Sequence, residues 1–241
     1  MSSILITICA RGGPKGIPGK NIRSLNGKPL IGYTIATANA FRQRHPGVDV
    51  VLSTDSPEII QVAAEFGLSS DYRRPEVLAS DTAGKVDAMA DVLNYQERKE
   101  NKKYDFLLDM DVTSPLRTVE DLEAGLVQLQ EREDALNIFS VSPANRNPYF
   151  NMVEEQPDGT VDLAKRPEVP FLTRQSAPAV YDMNASFYIF RRKFFTMGGR
   201  SSITKASLAY VMSHLCFDLD HPIDFEIMEF LLSQNKLGFS I

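Results

Sequence analysis

Cysteine is scarce: Cys9 and Cys216 are the only two in 241 residues. One sits inside an apolar run and the other beside Phe217, which argues against a disulfide framework and a structural zinc site and suits a reducing cytoplasm. Long apolar runs are missing too. No segment approaches the roughly 20 residues of a membrane span, and the opening MSSILITICARGG has too short an apolar stretch and no basic start for a signal peptide. A cytoplasmic location is therefore expected, which leaves the sequon Asn184-Ala185-Ser186 idle. Nor is positive charge in excess. With 26 Lys and Arg against 31 Asp and Glu the net charge is −5, so no electrostatic ground exists for binding nucleic acid or an anionic membrane. Any anion must be held locally. Internal repeats and low-complexity tracts are absent as well.

What is present is a regular alternation. With 43% hydrophobic and 24% charged residues the chain can bury a substantial core as one large domain, or a domain with a small appendage. ILITI reads as a buried strand, and PLIGYTIATANAFRQR has helical spacing from Pro29, a residue the first helical turn tolerates. VDVVLS and PEIIQVAAEF give a second strand and helix, the latter ended by Gly67. GKVDAMADVLNYQERKENKK then feeds the strand YDFLLDMD, and TVEDLEAGLVQLQERE feeds LNIFSVS. This order predicts an α/β fold: a mostly parallel, Rossmann-like sheet with helices on both faces. From Pro143 to Asp182 the rhythm breaks into short alternating pieces, YFNMVE and TVDLA, which predict an inserted hairpin. SFYIFRR resumes the core strand pattern, LAYVMSHLCFDLD is extended, and PIDFEIMEFLLSQ closes as an amphipathic helix.

The loop CARGGPKGIPGKN behind the first strand gathers Arg11, Lys15 and Lys20 among glycines. In open α/β sheets ligands bind beyond the carboxyl ends of the strands, where this loop is expected to lie. Glycines let backbone N–H groups approach phosphate oxygens, and the cations can neutralise several phosphate charges, as a nucleoside triphosphate requires. Two familiar phosphate loops fail on counting. The Walker pattern needs four residues between its glycines and Ser or Thr after Lys, whereas five separate Gly13 from Gly19 and Asn21 follows Lys20. The dinucleotide pattern requires glycine at Arg11 or at Pro14. A Gly-x-Ser-x-Gly elbow is absent. The remaining alternative is a solvated basic loop whose glycines serve only turns.

The segment ARGGPKGIPGKNIRSLNGKPLIGYTI resembles the signature of the cytidylyltransferases that activate sialic acids and related 3-deoxy-2-ulosonic acids as CMP-sugars. RPEVLASDTAGK, VTSPLRT, NASFYIF and FDLDHPIDFE continue the resemblance, in that family's order, over nearly the whole chain. It implies one nucleotidyltransferase domain over residues 1–241, with 143–182 as a dimerisation or lid excursion of a homodimer. It also implies CTP and an acidic sugar as substrates and Mg²⁺ as cofactor. The first loop would hold the CTP phosphates through Ala10, Arg11, Gly12, Gly13, Lys15 and Lys20, with Asn21 near the ribose. RPEVLASDTAGK would recognise cytosine and ribose through Arg74 and the backbone around Ala83, with Lys85 standing where a small hydroxyl residue is common. Read without the resemblance, Ser80 or Asp81 caps the following helix, whose N-terminus also attracts anions.

Asp218 and Asp220 face one side of an extended chain, and such carboxylates repel unless a cation lies between them. The resemblance implies Mg²⁺ there, an ion that takes one or two protein carboxylates and completes its shell with phosphates and water. Asp109 and Asp111 end YDFLLDMD at the same rim. Here the chain departs from the family, which has Gln-Pro where this sequence has Asp111-Val112. Asp111 is expected on the sugar side, with metal ligation or capping near Thr113 and Ser114 as alternatives. Asn184 and Tyr188 match sugar-side positions, against a hydrogen-bonded strand residue and a core aromatic, whereas Asp182 and Phe150 stand where arginine and lysine are expected. The implied reaction is attack of an anomeric hydroxyl on the α-phosphorus of CTP, with Arg11, Lys15, Lys20 and Asp220 as the catalytic set. His45, His214 and His221 lack the His-x-Gly-His spacing of another nucleotidyltransferase class, and His221 reads as a helix start. Competing readings are an octulosonic acid or sugar phosphate as acceptor, or an inactive nucleotide-binding regulator.

Overall fold

The computed structural model describes residues 2–13, 17–80, 82–169, 171 and 173–241. Strand β1 (Ile4–Cys9) is buried on both faces, as a central parallel strand is. Beyond the loop, β2 (Ser24–Leu25) and β3 (Lys28–Pro29) form a small hairpin turning on Asn26 and Gly27, both at positive φ. Helix α1 (Leu30–Arg44) follows with Pro29 as its N-cap, one position before the first turn where the sequence places it. Next come β4 (Val48–Ser53) and α2 (Pro57–Glu65), the latter capped by Ser56 and followed by Gly67 at φ +81. A short α3 (Glu76–Ala79), unexpected from the sequence, precedes α4 (Lys85–Glu100) and β5 (Phe106–Asp111). Helix α5 (Val119–Gln130), held by a Thr118–Asp121 capping box, leads to β6 (Asn137–Pro143).

The break in rhythm after β6 contains a hairpin, β7 (Val153–Glu155), which starts in YFNMVE and runs one residue past it, against β8 (Val161–Leu163) within TVDLA. The chain re-enters the sheet as β9 (Tyr181–Arg191), then makes α6 (Arg192–Thr196), β10 (Ser207–Val211) and α7 (Pro222–Ser233). The six-stranded sheet has the order β10-β6-β9-β5-β1-β4. All its neighbours run parallel except β9, which is antiparallel to both β5 and β6. The register between β6 and β9 shifts between Phe139 and Val141, near Ala185 at φ +55.

Alternation along the strands divides the core between the two faces. Ile4, Ile6 and Ile8 join Leu30, Phe41 and Leu122 of α1 and α5, while Leu5 joins Met89, Leu93 and Phe194 of α4 and α6. Register pairs Cys9 with both Ser53 and Asp111, so β1, β4 and β5 end at one rim. Three loops and the start of α4 meet there.

Candidate active site

A cavity of about 350 Å³ opens at that rim, lined among others by Arg11, Lys20, Asn21, Arg74, Ala83, Lys85, Asp111 and Asp220. Residues distant in sequence are thus brought to one place. Lys15 lies outside the described residues, as does Asp81.

The loop after β1 is held by its own backbone and by acidic neighbours. The Ala10 N–H donates to Ser53 O (3.0 Å) and the Gly12 N–H to Asp55 Oδ1 (2.9 Å). Those two amides therefore pair with the end of β4 and the loop after it, and not with the open cavity. Gly12 passes so close to α2 that a Cβ there would lie 2.8 Å from Ser56 Cβ, whereas one at Gly13 would meet nothing within 4 Å. Asn21 donates from Nδ2 to Arg11 O (3.0 Å), and Arg11 Nη1 reaches Ser80 O (3.3 Å). Lys20 is buried, with Nζ 3.1 Å from the exposed carboxylate of Asp220.

Arg74 is anchored on β4: Nε donates to Ser53 Oγ (3.0 Å) and Nη2 to Ser53 O (2.8 Å). The expected side-chain cap of α4 is not Ser80. Gly84 is the N-cap, without a side-chain bond, and Ser80 Oγ donates instead to Val77 O (3.1 Å). Lys85, the first residue of α4, turns into the rim. Its Nζ stands 2.9 Å from Asp109 Oδ2, a charge contact without hydrogen-bond direction, 2.9 Å from Asp111 Oδ2, and 4.6 Å from the Tyr188 ring centre. Burial pushes the Asp111 carboxyl up, but Lys85 and the Thr113 N–H and O–H hold it at about 2.

Arg117, in the VTSPLRT segment, is fully buried and organises this rim, a role the sequence does not reveal. Nη1 donates to Ser114 O (2.6 Å) and Ser186 O (2.7 Å), and Nη2 to Thr34 Oγ1 (2.7 Å) and Asp111 O (2.7 Å). Asn184 and Tyr188 do not line the cavity. Asn184 accepts from Ser140 Oγ (2.6 Å) and donates to Ser142 Oγ (3.0 Å), while Tyr188 is packed among Phe139 and Phe190 beneath Lys85.

The late acidic segment is pinned through Leu219, which is buried and donates its N–H to Thr113 O (2.8 Å). Asp224 in the first turn of α7 accepts from the Asp220 N–H (2.9 Å) and the His221 N–H (2.6 Å), and His221 is the N-cap, as a helix-start residue should be. Asp220 faces the cavity. Asp218 is half-buried, and its Oδ1 is enclosed without a hydrogen-bond partner. Burial, reinforced by the Asp111 and Asp220 charges, pushes its carboxyl up to about 7.

No helix among the described residues is long and apolar enough to cross a membrane. A protein of Campylobacter coli named post-translational flagellin modification protein B is 41% identical over 98% of each chain. A CMP-N,N'-diacetyllegionaminic acid synthase of Campylobacter jejuni is 41% identical over 99% of this chain and 98% of its own. Among solved structures, a CMP:2-keto-3-deoxy-manno-octonic acid synthetase complexed with CTP aligns over 97% of this chain and 100% of its own with a TM-score of 0.67; at 17% identity it is a likeness of fold. The cytidylyltransferase family model matches residues 5–237. The chain therefore belongs to the cytidylyltransferase family and is a nucleotidyltransferase.

Proposed function

We propose that the protein transfers CMP from CTP to the anomeric hydroxyl of a nonulosonic acid and releases pyrophosphate. The observation that carries this reading is one cavity in which Arg11 and Lys20 from the first loop, Arg74 and Ala83 from the segment before α4, and Asp220 from the far end of the chain all meet. The diacetyllegionaminic acid synthase points to a nine-carbon acid sugar as the acceptor.

In this reading Arg11, Lys15 and Lys20 take the β- and γ-phosphates, with Gly13 leaving room for the chain to approach and Asn21 fixing the loop through Arg11 O. Nucleotidyl transfer asks little covalent chemistry of a protein, so positioning and charge neutralisation supply most of the rate. Arg11 and Lys20 offset charge gathering on the departing pyrophosphate. Arg74 and the backbone at Ala83 and Gly84 form the wall that receives the nucleoside.

Cytidylyltransferases of this kind generally use a divalent metal. Among the described residues no group of three or more His, Cys, Asp and Glu side chains is placed to hold one. Mg²⁺ needs less, because substrate phosphates and water complete its shell. The enclosed, unpartnered Oδ1 of Asp218 beside the Asp220 charge fits a cation, so Asp218 and Asp220 would hold it. When bound, Mg²⁺ supplies charge at the α-phosphate and lowers the pKa of the attacking hydroxyl.

The apolar surface of the excursion supports a homodimer: Met152, Val153, Val161, Val169 and Tyr181 are all exposed. Light scattering should give twice the 26.9 kDa chain mass. The functional test is pyrophosphate release from CTP with a panel of acid sugars. Turnover is expected with diacetylated nonulosonic acids, and turnover with sugar phosphates alone would refute the reading. Asp220→Ala should lower kcat by about 10²-fold or more.

A further inference from the structure

Four aspartates converge on the rim, and two lysines meet them. Lys20 Nζ holds Asp220 Oδ1 at 3.1 Å, and Lys85 Nζ stands 2.9 Å from both Asp109 Oδ2 and Asp111 Oδ2. The other oxygen of each aspartate in that second pair is already tied: Asp109 Oδ1 accepts from Thr7 Oγ1 (2.7 Å), and Asp111 Oδ1 accepts from the Thr113 N–H and O–H (3.0 Å each). Each carboxylate thus has one oxygen fixed by a threonine and one turned to the same ammonium. Two carboxylate oxygens on one central cation is also how a divalent ion is bound, at roughly 2.0–2.1 Å for Mg²⁺. The Tyr188 ring, 4.6 Å from Nζ, adds a cation–π contact.

We propose that Lys85 is a resident cation that limits the site to one divalent ion, by filling the bridging position between Asp109 and Asp111 and withholding both from metal. Asp111 is then a positioning residue for Lys85, not a ligand for metal or sugar. The inference rests on the reading that Asp218 and Asp220 hold the ion.

The test counts Mn²⁺ bound to the nucleotide-free full chain by electron paramagnetic resonance. Lys85→Met should bind one more ion than the unaltered chain, and Asp111→Asn added to it should remove that ion. Lys85→Arg should keep the original count. In the unaltered background, Asp218→Asn should abolish Mn²⁺ binding and Asp111→Asn should leave it. Equal counts for the unaltered chain and folded Lys85→Met would overturn the proposal. Should Lys85→Met fail to fold, the Asp111→Asn and Asp218→Asn pair still decides: loss of Mn²⁺ in the first and retention in the second overturns it. A chain binding no Mn²⁺, with or without CTP, would refute the metal reading itself and this inference with it.

Discussion

Lys20 and Asp220 are 200 residues apart in sequence and 3.1 Å apart in space, Nζ to Oδ1. The contact joins the loop proposed to hold phosphates to the segment proposed to hold metal. An ammonium between leaving group and acidic pair should matter most when charge builds on pyrophosphate. Lys20→Met is expected to weaken transition-state stabilisation by about 2 to 4 kcal/mol, mainly through kcat. Steady-state kinetics in CTP checks this. A change confined to KM would assign Lys20 to ground-state binding.

Gly12 is expected to tolerate no side chain. The alanine Cβ at 2.8 Å from Ser56 Cβ must push the loop off α2 and off the Asp55 carboxylate that accepts its N–H. Gly12→Ala should raise the KM for CTP by about tenfold, a change of about 1.4 kcal/mol. Ser56→Gly in the same chain removes the clash at little cost to the α2 cap and should restore most of the affinity. Failure of that rescue would show that packing against Ser56 is not the reason glycine stands there.

Arg117→Met should destabilise the fold by about 3 kcal/mol, because the buried Ser186 carbonyl loses its side-chain donor while those of Asp111 and Ser114 keep only the Thr34 Oγ1 (3.3 Å) and Ser186 Oγ (2.9 Å) hydroxyls. Urea denaturation measures the loss. Activity should fall further than stability does, since the Asp111 backbone is part of the cavity rim.

Glu97 gives the expected acid limit. Burial raises its carboxyl, but Arg192, Lys103 and the Tyr104 N–H overcome that and hold it at about 2 in the folded chain. A depressed carboxylate stabilises the native state above its unfolded value of 4.5, and that gain is lost as pH falls through about 2. The native state should therefore lose about 3 kcal/mol between pH 5 and 2 from this group, and Glu97→Gln should flatten that part of the profile. Thermal melts across the range would show it.

Most of the fold was legible in the chain. ILITI, VDVVLS and YDFLLDMD became β1, β4 and β5, because runs buried on both faces separated by amphipathic helices admit few other arrangements. The hairpin between 143 and 182 was legible from its alternation. The direction of β9 was not, since a strand reads the same whichever way it runs in the sheet. At the site, residue types pointed to the cavity, but partners across the fold did not. Nothing near Arg117 in sequence announces Thr34 or Ser186, and nothing beside Lys85 announces Asp109. The expected cap at Ser80 failed because the chain runs on to Gly84 before the helical hydrogen bonds begin.

The place of β9 bears on how the molecule is made. Strand β6 finds no partner in β5, because the strand that belongs between them is translated last of the three. A nascent chain halted between residues 143 and 180 leaves three hydrogen-bonding edges open that the finished sheet pairs, one on β5 and both on β6, whose other neighbour β10 is also still to come, on strands that are mostly apolar. Ribosomal pausing or premature termination in the excursion between residues 143 and 180 should thus yield aggregates, whereas a stop after Arg191 leaves the centre of the sheet closed.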